Sequence, residues 1–142
     1  MILHLGVIDI PYEEESVTTG DVAEELEARY GVMQFFFDSH SAEIIKLMEN
    51  DIAGALENFM AGAPLPSNPF LESMGRVHEL FSNFIIMQQM NGQPGVPTLR
   101  ALEGISRRLK NKKGPPRPSF LDTGLYMASM RAWVTDIINA ID

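Results

Sequence analysis

The sequence predicts an α+β fold that is predominantly helical, with roughly four to five helices, a short N-terminal strand and room for a small antiparallel sheet. Three observations predict it. The chain opens on branched apolar residues that end at Pro11, the stretches after it carry apolar residues at helical spacing, and Pro- and Gly-containing breaks separate those stretches. With 142 residues, a single domain over positions 1–142 is expected.

The first two elements are a strand and a helix. The segment from Ile2 to Ile10 is rich in branched side chains, which suits a short strand. The group from Thr18 to Asp21 supplies oxygens that can cap a helix with Val22, Leu26 and Tyr30 on one face. Gly31 is expected to end or bend that helix.

The strongest helical signal lies in the middle of the chain. The polar group from Asp38 to Ser41 offers a helix start, and an apolar stripe follows it: Ile44, Ile45, Met48, Ile52, Ala55, Leu56 and Phe59. The prolines between Gly62 and Pro69 prevent this helix from continuing. Asn68 and Pro69 suit the cap and first position of the next helix.

Two further helices are expected before residue 110. One has a largely apolar face from Phe70 to Gln88 and closes at Asn91 and Gly92. A shorter amphipathic helix follows the break from Gly92 to Pro97 and carries Leu99, Leu102, Ile105 and Leu109. A basic loop over about 110–118 comes next, and we expect it to be mobile.

The last portion predicts one more helix. Asp122 or Thr123 would cap it, and Leu125, Ala128, Ser129, Ala132 and Trp133 lie at helical spacing. The stretch from Met130 to Thr135 fits either a helix or a strand.

Composition narrows the class of protein. The chain has no cysteine, which excludes disulfides, thiolate zinc sites and a cysteine nucleophile. No apolar run approaches the 18 or so residues that span a bilayer, and the N-terminus lacks the positive start of a signal peptide. We therefore expect synthesis in the cytoplasm and no membrane partner.

Charge is polarised along the chain. Residues 1–57 contain 13 acidic residues and only two basic ones, Arg29 and Lys46. The segment from Arg100 to Arg117 contains seven basic residues and one acidic residue, Glu103. These segments are either ordinary solvated faces or surfaces through which one copy meets the next head to tail.

The sequence contains no recognisable catalytic, cofactor-binding or metal-binding motif, so the chain is predicted not to be an enzyme. His4, His40 and His78 have no metal-ligand spacing. Asp38, Ser39 and His40 are the residue types of a triad, but adjacent side chains diverge, which favours a capping role. The basic run lacks interleaved aromatic residues and the whole chain is acidic, which disfavours direct high-affinity nucleic-acid binding. Four methionines are interpreted as core filler: Met33, Met48, Met74 and Met87.

The segment from Arg117 to Val134, RPSFLDTGLYMASMRAWV, resembles the C-terminal signature of neck, tail-completion and minor tail proteins of long-tailed bacteriophages. In that family a basic loop precedes a Pro-x-hydrophobic-x-Thr-Gly-Leu core. The matching residues are Pro118, Phe120, Leu121, Asp122, Thr123, Gly124, Leu125 and Ser129. The resemblance covers roughly the last 35 residues well and the acidic segment TTGDVAEELEARYG loosely.

The resemblance implies a structural virion protein: a homo-oligomeric ring of about six or twelve copies at the head–tail junction. Adjacent connector and tail proteins would be its other partners, and DNA would pass through the channel without specific binding. Channel-lining candidates are Glu24, Glu25 and Glu27, because like charge keeps DNA from adhering. Subunit-interface candidates are Arg107, Arg108, Lys110, Lys112, Lys113, Arg117, Phe120, Asp122, Thr123, Gly124, Leu125 and Trp133. The alternative is a soluble helical adaptor that binds one protein partner.

Overall fold

The computed structural model describes residues 1–12, 16–105, 114–121 and 124–135. Within these ranges the chain forms two strands, β1 (Ile2–Val7) and β2 (Met130–Thr135). It also forms five helices: α1 (Thr19–Tyr30), α2 (Val32–Met60), α3 (Leu71–Ile86), α4 (Leu99–Glu103) and α5 (Leu125–Ser129). The predicted helical α+β class with a small antiparallel sheet is confirmed.

The sheet joins the two ends of the described chain. β1 and β2 run antiparallel, with Leu5 opposite Ala132 and His4 opposite Trp133. Leu3, Leu5 and Val7 pack against the core, and the alternate residues face away from it, as the two-residue period of a strand requires. The stretch from Met130 to Thr135 is therefore a strand. β1 is shorter than expected, because Ile8 already lies beyond its end and is exposed.

α1 begins and ends where the sequence predicts. The Thr18 hydroxyl accepts a hydrogen bond from the Asp21 amide, and the Asp21 carboxylate accepts one from the Thr18 amide, which makes a capping box. Hydrogen bonds from Thr18 and the Gly20 amide lower the pKa of Asp9. Gly31 closes α1 in the left-handed region at φ +61°, a conformation that favours glycine.

α2 begins at Val32, so the predicted start at Asp38 to Ser41 is wrong. The Glu27 side chain replaces the missing local cap, since its two oxygens accept hydrogen bonds from the Met33 and Gln34 amides at 2.8 and 3.1 Å. Asp38 and Ser39 instead lie on the exposed face of the helix, where the Ser39 hydroxyl donates to the Phe35 carbonyl.

The core forms between α2 and α3, which run antiparallel. The Phe36 ring, fully buried, lies 5.2 Å from Phe81 and 5.4 Å from Phe84. At the other end of α3, the Asp51 carboxylate accepts hydrogen bonds from the Ser73 amide and hydroxyl. The inner face of the sheet packs on α3, and the His78 Nδ1 donates to the Met130 carbonyl at 2.8 Å.

Three expectations for the region after α2 are corrected. α3 ends at Ile86 rather than at Asn91, and Met87 is 70% exposed rather than core filler. In α4 the buried side chain is Ala101, whereas Leu99 and Leu102 face solvent. The helix ends at Gly104, whose α-carbon lies so close to the Gly114 carbonyl that a side chain would collide with it. Leu109 lies outside the described residues.

Candidate functional site

Seven of the predicted interface residues lie outside the described ranges: Arg107, Arg108, Lys110, Lys112, Lys113, Asp122 and Thr123. Of the predicted mobile loop over about 110–118, residues 110–113 lie outside the described ranges, whereas 114–118 are described and contact the end of α4 through the Gly114 and Arg117 amides. The described candidates are Arg117, Phe120, Gly124, Leu125 and Trp133.

Arg117 and Phe120 make contacts within their own chain. The Arg117 guanidinium donates to the Ile105 carbonyl at 2.7 Å, and the Arg117 amide donates to the Ala101 carbonyl, so this residue fastens the end of α4. The Phe120 ring lies 5.3 Å from the ring of Tyr30 at the end of α1. Phe120 adopts φ +68°, an uncommon conformation for a residue with a β-carbon.

The N-cap of α5 is Gly124, and no side chain caps the helix, although Asp122 or Thr123 is predicted to do so. Gly124 adopts φ +78°, and an added β-carbon would meet nothing closer than the Leu121 side chain at 3.8 Å. Its backbone conformation, rather than a closely approaching backbone, therefore favours glycine. Leu125 is half-buried, and the anchor of α5 is Tyr126, which is 4% exposed and meets Phe81 edge to face.

Trp133, a predicted interface candidate, is partly exposed. It lies on the outer face of the sheet, is 44% exposed and stacks on His4 with ring centroids 5.2 Å apart. Gly6 makes room for it, because a β-carbon at that position would approach the indole to 2.9 Å. Trp133 thus lies on the outer face of the sheet, whereas Phe120 packs against the core.

The three acidic candidates on α1 have different environments. Glu24 and Glu25 are exposed, and Glu25 pairs with Arg29 at 3.1 Å across one helical turn. The Glu27 carboxylate is committed to the α2 cap described above. Glu24 and Glu25 remain lining candidates, whereas Glu27 has a structural role that the sequence did not reveal.

A large exposed apolar surface includes the end of the apolar stripe that the sequence predicts on α2. We call residues 52–68 the arm: the last turns of α2 and the segment that leads back towards α3. Every residue from 56 to 68 is exposed. The large apolar side chains of the arm and their exposed fractions are Ile52 40%, Leu56 51%, Phe59 52%, Met60 85% and Leu65 48%.

The arm projects because α3 begins beside a point about two thirds of the way along α2. Ser73 meets Asp51, so residues 52–60 extend α2 by roughly 13 Å beyond the start of α3. The Gly62 and Ala63 amides donate to the Phe59 and Asn58 carbonyls, and Pro64 and Pro66 restrict the returning backbone. Phe70, 2% exposed, anchors the return in the core. The arm is therefore short, stiff and held at both ends.

A cleft of about 320 Å³ opens at the opposite end of α2. Its apolar walls come from Leu5 of β1, Ala23 of α1, and Met33 and Phe37 of α2, and its polar groups come from Glu27 and Gln34. These residues are half-buried except for the two polar ones, which are exposed. The lining of the cleft is therefore mostly apolar.

Within the part of the chain that the structure describes, no three His, Asp or Glu side chains are grouped as metal ligands. None of the described helices is long and apolar enough to cross a membrane. Comparisons with protein-family models, curated proteins and solved structures found no match.

The chemistry that this arrangement offers is apolar association. Exposed apolar surface of this extent is typical of contacts with other proteins, because covering it removes it from water. The arm and the cleft are the two features suited to that role, and neither includes a residue of the predicted interface set.

Proposed function

We propose that the chain is a structural protein of a tailed bacteriophage, forming a homo-oligomeric ring at the head–tail junction around the DNA channel. The observation that carries the proposal is the arm: a stiff projection with apolar side chains that are 40% to 85% exposed. Such a surface is costly on an isolated molecule and becomes favourable when a neighbour covers it.

The biological setting of the proposal comes from the segment between Arg117 and Val134, which resembles phage neck and tail proteins. The structure describes what most of that segment does within the chain. Its described residues hold the end of α4, pack on α1 and form the strand that pairs with β1. In this proposal the segment supports the ring by shaping the subunit, and the arm supplies contact surface between subunits.

The channel wall in this proposal is the exposed acidic side of α1. Glu24 and Glu25 would face passing DNA, and their like charge would keep the polyanion from adhering. The basic residues between Arg107 and Arg117 would orient the subunit towards an adjacent ring.

Removal and re-addition of the protein test the proposal. A lysate of the phage that lacks this protein should contain filled heads and complete tails that remain separate, and adding purified protein should join them, as counted by electron microscopy. Joined particles with Glu24→Gln and Glu25→Gln together should then retain or eject DNA abnormally, because the lining has lost charge.

Two outcomes would contradict the proposal. Heads and tails that join without the protein would remove the junction role. A protein that stays monomeric and captures one soluble partner, with no effect on joining, would favour the adaptor alternative.

A further inference from the structure

We propose that Asn91, in the exposed turn that follows α3, is a site of spontaneous deamidation, where asparagine is converted to aspartate and isoaspartate. Asparagine is among the thermolabile residues of proteins. The only co-reactant is water. The inference goes beyond the proposed function and does not depend on it, because the reaction takes place within one chain.

The reaction joins two neighbouring residues. The Gly92 amide nitrogen loses its proton and forms a bond to the side-chain carbonyl carbon of Asn91. The bond from that carbon to Nδ2 breaks, and Nδ2 leaves as ammonia. Water then adds to one of the two carbonyls of the cyclic imide, so the ring opens to aspartate or to isoaspartate. No atom is oxidised or reduced, and the product carries one more carboxylate than the original chain.

Gly92 presents the attacking nitrogen without a side chain to shield it. A β-carbon built at this position would meet nothing within 4 Å, so the space around the reacting groups is open. Gly92 adopts φ +97°, a conformation that favours glycine. Asn91 and Gly92 are both exposed, so water can reach the imide and ammonia can leave.

Few hydrogen bonds hold the reacting groups apart. The Gly92 amide donates to the Val96 carbonyl at 3.2 Å, and Asn91 Nδ2 donates to the Gln88 side-chain oxygen at 3.3 Å. Both distances are at the long end of the hydrogen-bond range. Gln88 adopts φ +53°, an uncommon conformation for a residue with a β-carbon. The bond from Gly92 to Val96 must break before the attack, and in an exposed turn that opening is inexpensive.

The other described asparagines each lack one of these conditions. Asn50 and Asn58 lie within α2 and Asn83 lies within α3, where the helical hydrogen bonds hold the backbone amides. Asn68 precedes Pro69, whose nitrogen carries no proton. Among the described asparagines, Asn91 is therefore the one that lies outside a helix and precedes a residue with an amide proton.

Conversion alters the turn that closes α3. Met90 and Val96 anchor this turn in the core at 4% and 6% exposure. Isoaspartate lengthens the main chain between them by one methylene group, which disturbs the bond from Gly92 to Val96. The Gln89 side chain of the same turn is hydrogen-bonded to the His40 ring of α2 at 2.7 Å. The reaction therefore loosens a turn that links α2 and α3.

Mass spectrometry of aged protein tests the site. The folded full chain is incubated at mildly alkaline pH and digested with trypsin. Two of the resulting peptides, residues 47–76 and 77–100, contain all of the described asparagines. We expect Asn91 to lose its amide at least about tenfold faster than Asn83 of the same peptide, because a helical amide reacts only after the helix opens locally.

Asn91→Gln is the matched control, since the longer side chain closes an imide ring more slowly. This variant should lose most of the isoaspartate signal that a methyltransferase specific for isoaspartate detects in the aged wild type, while circular dichroism shows the same fold. Ageing the wild type in urea should narrow the difference between Asn83 and Asn91, because no helix then protects Asn83. Folded protein in which Asn91 keeps its amide, or loses it no faster than Asn83, would overturn the inference.

Discussion

At the scale of single residues, Tyr126 shows how a side chain can anchor an element through its ring and not through its polar group. Its ring centroid lies 5.9 Å from that of Phe81. Its buried hydroxyl has no hydrogen-bond partner among the described residues. Burial, reinforced by the negative charge of Glu27, raises the pKa of Tyr126.

We expect Tyr126→Phe to leave the free energy of unfolding unchanged or to raise it by up to about 2 kcal/mol, because the variant removes a buried hydroxyl without a partner. The pKa of Tyr126 is higher in the folded than in the unfolded chain, so the folded chain favours the neutral phenol. Ionisation of Tyr126 therefore leaves the free energy of unfolding unchanged below about pH 10 and lowers it as pH rises further. Urea unfolding at neutral and alkaline pH should show a smaller alkaline loss in the variant than in the wild type.

Tyr126→Leu is the control, since it removes the ring contact as well and should lower the free energy of unfolding by roughly 1–3 kcal/mol. A destabilised Tyr126→Phe protein would mean that the hydroxyl has a partner in the folded chain.

At the scale of elements, two helices are capped by acidic side chains from elsewhere in the chain. Glu27 of α1 caps α2, and Asp51 of α2 binds the first turn of α3. A carboxylate at these positions satisfies free amides and interacts favourably with the helix dipole. Asp51 directly precedes the arm, so its hydrogen bonds to Ser73 also hold the start of the arm against α3.

Asp51→Ala should lower the free energy of unfolding by about 1–3 kcal/mol, because it leaves the buried Ser73 amide and hydroxyl without this acceptor. Glu49→Ala on the exposed side of the same helix should change it by no more than about 0.5 kcal/mol. Urea unfolding followed by circular dichroism measures both. Equal effects would show that the Asp51 bonds do not stabilise α3.

At the scale of the whole molecule, the sheet ties the beginning of the chain to residue 135. Trp133, the one tryptophan, stacks on His4 across the two strands. The inner face of the same sheet packs on α3, which packs on α2. The strand pair and helices α1, α2, α3 and α5 therefore share one continuous core.

We predict that the molecule unfolds as one unit. Trp133 fluorescence reports separation of the strands and far-ultraviolet circular dichroism reports the helices, so the two urea transitions should coincide. Gly6→Val is a useful companion variant, because its side chain would displace the indole and should change the native emission. A fluorescence transition at lower urea than the helical one would show that the chain ends separate first.

The sequence by itself determined the features that are local. Thr18 and Asp21 cap α1, Gly31 ends it, and the prolines after Gly62 stop α2, because caps and breaks depend on the backbone of a few neighbouring residues. Apolar periodicity also located α2 and α3 and predicted the helical α+β class.

Tertiary structure alone decided which apolar faces are covered. Ile44 is fully buried and Ile45 is 52% exposed, although both belong to the predicted stripe, because neighbouring residues point about 100° apart around a helix and only one of them faces the core. Ile52, Leu56 and Phe59 are exposed because they lie beyond Asp51, where α3 begins. Met130 to Thr135 became a strand only because β1, far away in the sequence, pairs with it. Burial and strand pairing are interactions between distant residues, so the local pattern that fixes a helix start cannot fix them.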